Sequence, residues 1–437
     1  VTVAGKNIAA LCGALLLVVS LGGCATYSDW VGHMEVDISR GRPDKALGVL
    51  EKHASGKDAV LYLLNRAMLQ RMAGDYEASN ASFEAAKTMI GRLSAISVSE
   101  QGEALTVNDM MRSYTGAYYE QVLIHVFEAL NYLALNRPGD ARVEALQLDV
   151  KLKQHGDDSD YEDGFARYLT GIIYEDLGEW DDAMIAYRQA YDAYRRYPQQ
   201  LEMPVPRQLK RDLIRLAEKT GLDDEARRYR ETFDIRSADR IPGGDGELVF
   251  ILESGLAPLK RSVEVRAITK SGQLVTVSMP AYEDRRPTVT AARVSVDGRS
   301  VTTDLVENVD SLAMDALEKA KPRILARAIA RAVIKTKTSK EAERRDQALG
   351  LVLNLANAIT DRADTRSWST LPNRICLARL PLAAGRHRVR IELLNRLENA
   401  VDEKDYDVDI AGGGKHLITL NWITADDLIP INPLRTR

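Results

Sequence analysis

Few residues in this chain are placed to do chemistry, and Cys24 has the most telling position. It closes the run Leu21-Gly22-Gly23-Cys24, at the end of an apolar stretch that begins near Ile8, with Lys6 before it and polar sequence from Ser28 after it. The apolar segment before it is too short to span a bilayer as a permanent helix, and it fits a secretory h-region ending in small residues. The other two cysteines, Cys12 and Cys376, leave no intramolecular disulfide once the leader is gone. Enzyme patterns fail: no Gly-x-Ser-x-Gly elbow, phosphate-loop lysine or His-Glu-x-x-His pair is present, and the six histidines are scattered. Asp361 and Asp364 are the nearest local carboxylate pair, and Gly412-Gly413-Gly414-Lys415 reads as a turn. The expectation is a protein that is not an enzyme, with no catalytic residue, no cofactor and no metal.

The Leu21–Cys24 run resembles a bacterial lipobox. That resemblance implies that residues 1–23 form a lipoprotein signal peptide, and that Cys24 becomes a lipidated (palmitate-bearing) N-terminus. Two acyl chains anchor stably, at roughly 0.8 kcal/mol per buried CH₂. The other reading is an ordinary signal peptide with Cys24 incidental. Ala25, where an Asp would mark inner-membrane retention, implies an outer-membrane, lipid-anchored protein facing the periplasm. With 59 Lys and Arg against 63 Asp and Glu, the chain lacks the basic excess of a general nucleic-acid binder.

At 437 residues the chain is long enough for two domains. Residues 24–240 carry a recurring helix-turn-helix pattern. One copy reads Gly74, Tyr76, Ser79, Phe83, Ala86; another reads Gly178, Trp180, Ala183, Tyr187, Ala190; weaker copies are anchored at Gly41, Asn136 and Gly221. These positions resemble the tetratricopeptide repeat (TPR), a unit of about 34 residues. The Gly or Asn closes the first helix in a left-handed conformation, the ring packs in the turn, and the small residues let helices approach. Such repeats bury their apolar faces by stacking, which makes an all-α TPR-like solenoid with a concave face. The many tyrosines there either pack the repeats or line that face.

Residues 241–437 change character after Ile241-Pro-Gly-Gly-Asp-Gly246. Short strand-like runs recur, from Glu247–Leu252 to His416–Trp422, with Asp297-Gly298 as a hairpin turn. The expected fold class is α+β multidomain, with a β-sandwich-like second domain. Leu380–Val389 is similar to the turn-then-strand of PEGA-type surface modules. A helical-hairpin insert is expected at about 309–361, as helices 311–335 and 340–360 with a turn at Thr336–Ser339. On the first, Arg323, Arg327, Arg331 and Lys335 form a basic stripe spaced by four. It either meets anionic lipid or an acidic partner, or is a solvated face. The stretch Ala363–Pro372 is either a binding loop built on Asp364, Arg366 and Trp368, or a structural seam.

The lipobox, the irregular repeats, the Leu252–Pro258 stretch, the basic insert and Ala363–Pro372 occur in an order that resembles a group of largely uncharacterised proteobacterial outer-membrane lipoproteins with tetratricopeptide repeats. The resemblance implies a cell-envelope role. The expected function is a membrane-anchored periplasmic scaffold that binds an envelope protein partner through its solenoid. The alternative is a peptidoglycan- or polysaccharide-binding module.

Overall fold

The computed structural model describes residues 27–53, 58–99, 113–153, 162–235, 245–268, 272, 274–345 and 363–431. Cys24 and the expected signal peptide, residues 1–23, lie outside the described residues. Five helical hairpins come first: α1 (Tyr27–Ser39) with α2 (Pro43–Glu51), α3 (Ala59–Met72) with α4 (Tyr76–Ser99), α5 (Tyr118–Ala134) with α6 (Pro138–Lys153), α7 (Gly164–Asp176) with α8 (Trp180–Arg196), and α9 (Arg207–Lys219) with α10 (Asp223–Phe233). Their turns are held by the anchors read from the sequence. Gly41, Gly74, Asn136, Gly178 and Gly221 have φ of 64°, 81°, 55°, 73° and 75°. After each, the next residue donates its N–H five residues back: Asp75 to Gln70 O at 2.9 Å, Glu179 to Tyr174 O at 2.9 Å and Leu222 to Ala217 O at 2.8 Å. This is the left-handed C-cap that satisfies orphan helix carbonyls.

The strands are β1 (Gly246–Ser254), β2 (Leu259–Ile268), β3 (Leu274–Glu283), β4 (Ala291–Val296), β5 (Arg299–Thr302), β6 (Asp304–Asn308), β7 (Arg374–Leu382), β8 (Gly385–Leu394), β9 (Ala400–Ile410) and β10 (Lys415–Trp422). They form a central sheet ordered β10-β1-β7-β6, an outer sheet ordered β5-β4-β8-β9, and a β2–β3 ribbon. β10 runs parallel to β1, and β7 antiparallel to it. Asp297 and Gly298, both at positive φ, turn β4 into β5.

Every residue of β1 is buried. Alternate side chains of a strand point to opposite faces, so the run Leu248-Val249-Phe250-Ile251-Leu252 serves two cores. Leu248, Phe250 and Leu252 pack with Val294, Val389, Ile391 and Val408 of the outer sheet. Val249 and Ile251 join Leu377 in a different cluster, which continues into the helical hairpins through Leu130, Leu169 and Leu213. The order of layers is helices, central sheet, outer sheet. The helical and β segments share one apolar core.

One long helix, α11 (Val309–Arg345), replaces the first half of the expected hairpin. The anticipated turn at Thr336–Ser339 is absent, because Thr336-Lys337-Thr338-Ser339 holds no Gly or Pro and middling propensities do not end a helix. Residues 346–362, where the second helix was expected, lie outside the described residues.

Candidate functional site: a filled concave face and a basic cavity beside it

The first helix of every hairpin sends a polar side chain into the β segment. On α1, Glu35 takes a two-bond fork from Arg285 at 2.9 and 3.0 Å. On α3, Arg71 donates to Glu253 of β1 at 2.5 Å, and Asn65 accepts from Thr370 Oγ1 at 2.9 Å. On α5, Glu120 accepts the Trp368 N–H at 2.9 Å. On α7 and α9, Glu175 and Asp212 take Arg379 of β7 at 3.1 and 2.8 Å. The concave face is therefore covered by the protein's own sheet and connecting loop. The expected hollow for a partner is filled, because strand β1 is apolar on both faces and needs a cover on each.

Arg379 is the hub of this seam. It is 2 % exposed and reaches Glu247 at 2.6 Å, Glu175, Asp212, and the Tyr187 hydroxyl at 2.9 Å. Lys415, the first residue of β10, adds a bond to Glu247 at 2.7 Å. Arg215 forks onto Glu175 at 2.7 and 2.8 Å. Burial pushes the Glu247 carboxyl up, but Arg379 and Lys415 outweigh it and hold the group down at about 2. Glu175 is held well below the carboxylate range in the same way. A network this satisfied fixes register and docking.

The repeat-packing residues sit where hairpins meet. Phe83, Ala86, Ala183, Tyr187 and Ala190 are fully buried. A Cβ on Gly171 would lie 2.3 Å from the Tyr187 ring, so only glycine allows α7 and α8 this approach. Trp180 lies beneath the Lys219 ammonium, 3.4 Å from the ring centroid, and Tyr76 faces Arg71 at 5.7 Å.

Trp368 offers no surface for stacking a ligand. It is 1 % exposed, edge-on to Phe83 and Phe127 at 5.9 and 6.1 Å, with its indole N–H on Thr370 at 3.1 Å. Arg366 is engaged by Asp364 at 2.7 Å and Asp58 at 3.0 Å. The binding-loop reading of these residues is corrected on this point: the loop plugs the seam, because an indole this large gains more from burial than from water. Asp361 lies outside the described residues, and Asp364 is committed to Arg366.

Glu84, Glu128 and Glu144 gather closely enough to hold an ion. The Lys87 ammonium already stands among them, at 2.9, 2.8 and 3.0 Å. His125 adds a contact to Glu144 at 2.8 Å. This histidine–glutamate pair was invisible in the sequence, because α5 and α6 bring together positions with no motif spacing.

The basic stripe faces inward in part. Arg323, Arg327 and Arg331 line a cavity of about 230 Å³, together with Tyr114, Tyr119, Tyr282, Lys260, Asp364 and Arg366. The neighbouring stripe of α11 packs Ala328 and Ile324 with Val275, Val277 and Met279 of β3. Lys335 lies on the same helix, and its side chain is outside the described residues.

No family model matches the chain, and no curated protein matches it. Solved structures align with about half of it at low similarity. MamA from Desulfovibrio magneticus RS-1 shares 12 % identity over 48 % of this chain and 96 % of its own, with a TM-score of 0.31. Nearly identical TPR-like repeats from Podosopora anserina share 12 % over 47 % and 91 %, with a TM-score of 0.32. BtubC from P. vanneervenii shares 11 % over 46 % and 75 %, with a TM-score of 0.30.

Proposed function

We propose that this protein is a lipid-anchored envelope scaffold, tethered at Cys24 to the periplasmic face of the outer membrane, that holds a protein partner on the outside of its helical array. The observation that carries the reading is the division of labour among the helices. The first helices, α1, α3, α5, α7 and α9, cover the protein's own sheet, and the second helices are left to face outward. On α6, Val143, Leu146 and Val150 follow helical spacing and are 51, 44 and 53 % exposed. An apolar stripe open to water on a repeat helix is a contact surface more often than an accident. No helix among the described residues is long and apolar enough to cross a membrane.

The test is crosslinking in cells followed by recovery of the tagged chain. One specific envelope protein is expected with the wild type and is lost when Leu146→Glu and Val150→Glu are introduced together. An unchanged recovery profile sinks the outer-face reading. Separately, Cys24→Ser should move the protein to the soluble fraction and abolish palmitate labelling; retention of both defeats the tether.

A further inference from the structure

The outward face of the outer sheet sorts its charges by strand. Arg386, Arg388 and Arg390 of β8 and Asp405, Asp407 and Asp409 of β9 are all exposed on that face, while Val389, Ile391, Val408 and Ile410 turn into the core. The register sets the two rows directly opposite one another, Arg386 with Asp409, Arg388 with Asp407 and Arg390 with Asp405. The chain's own ion pairs do not follow that register. Arg388 and Arg390 both lean onto Asp405, at 2.9 and 3.4 Å, and their side chains stay 71 and 55 % exposed. Among the described residues, Arg386, Asp407 and Asp409 make no ion pair.

Solubility needs mixed signs, and alternating them along each strand would serve it better than sorting them. Like charges two residues apart on a strand lie about 7 Å from one another and repel. A row of cations beside a row of acids has a further property: it is its own complement. Half a turn about an axis parallel to the strands, midway between β8 and β9, lays the β8 row of one copy over the β9 row of another. Position along the strand is kept, so Arg386 meets Asp409 and Arg388 meets Asp407 of the second copy. The same rotation brings the two β8–β9 turns together, where Leu397 and Val401 are 79 and 50 % exposed. The discordant row is Glu392 opposite Glu403, and Arg293 holds Glu392 at 3.1 Å.

We propose that this face pairs two copies of the chain, through a two-fold axis parallel to β8 and β9 that sets the arginine row of each on the aspartate row of the other. With 10 and 11 residues the two strands run about 34 Å, and the four strands of the sheet span about 19 Å, so the pair covers roughly 1,000 Å² in total. That is the low end for a specific interface. Exposed charges are screened by salt, so the pairing is weak and depends on ionic strength. It rests on the β segment alone, and depends neither on the acyl tether nor on a partner at α6.

The experiment uses the full chain carrying Cys24→Ser, so that acyl chains contribute nothing to association. Sedimentation equilibrium at about 50 mM salt should show monomer and dimer exchanging with a dissociation constant on the order of tens of micromolar, raised about tenfold at about 500 mM salt. Arg386→Asp with Arg388→Asp turns both rows acidic over these positions, and Asp407→Arg with Asp409→Arg turns both basic. Each double variant alone should pair at least about tenfold more weakly, with the wild-type melting temperature. An equimolar mixture of the two should dimerise again, because an acidic face then meets a basic one. If the acidic variant fails to fold, Arg386→Asp alone takes its place, since Arg386 makes no ion pair among the described residues. The proposal is overturned by a chain that stays monomeric, by a dimer that survives in either double variant, or by a mixture that does not pair. A monomeric chain that binds dextran sulfate through Arg386 and Arg388 gives the face to an acidic polymer instead, and overturns it as well.

Discussion

The two faces of the central sheet solve the same problem by different means. Toward the outer sheet the face is apolar along its length, with Leu248, Phe250 and Leu252 from β1 and Cys376, Ala378 and Leu380 from β7. Toward the helices, Val249, Ile251 and Leu377 are interrupted by Glu247, Glu253, Arg379 and Lys415. Apolar contact carries no direction, so the outer sheet is placed by shape and by the short β5–β6 and β7–β8 connections. The helices have no such short connection, and their position is set by charges that fit one arrangement. A long-range interface within one chain needs polar registration more than a local one does.

The sharpest way to break this difference is to remove the hub. Arg379→Met leaves Glu247, Glu175 and Asp212 buried without their common partner, and should cost about 3–5 kcal/mol in chemical denaturation. Removing Glu247 as well should recover part of that loss, because an uncompensated charge goes with it. On the other face Phe250→Ala should cost a similar or slightly smaller amount, about 3–4 kcal/mol, and no second polar change should rescue it.

Acid separates the two faces further. Glu247 is held at about 2, below its unfolded value, so its stabilisation is complete above the ordinary carboxylate range and drains away as pH falls toward 2. Wild-type stability, followed by circular dichroism, should fall over that window. Arg379→Met should show a shallower fall and Phe250→Ala the same slope as wild type. Smaller still, Gly178→Ala places a methyl group at φ 73° and should cost about 1–2 kcal/mol without altering the acid slope. Least of all, Val143→Glu should move stability by no more than about 0.5 kcal/mol, since its site is open to water.

The helical array was legible because its turns have a local cause: a left-handed position favours Gly or Asn, and all five anchors are one or the other. The strands were legible from β-branched runs between turn residues, although β6 was too short to show. The hidden part was the seam. Leu248-Val249-Phe250-Ile251-Leu252 does not alternate, and a strand that is apolar at every position has two buried faces. That run, bracketed by Glu247 and Glu253, was the one available sign that the sheet would occupy the concave face. Nothing local identifies Arg379, Glu175 and Asp212 as partners; long separations in sequence leave no periodic trace. The Trp368 loop was open to both readings, because polar-aromatic composition suits a plug as well as a binding surface.

The central sheet pairs its first strand, β1, with its last, β10, and β10 also supplies Thr419, 3.5 Å from Arg71 of α3. A nascent chain therefore emerges with all its inner helices long before the strand that completes their cover. Until residue 422 has been delivered, the oily lining of the array has only part of its cover and is exposed to aggregation. Truncation near the carboxyl end would consequently expose the opposite terminus of the molecule, and the quality of assembly is decided by the last strand to arrive.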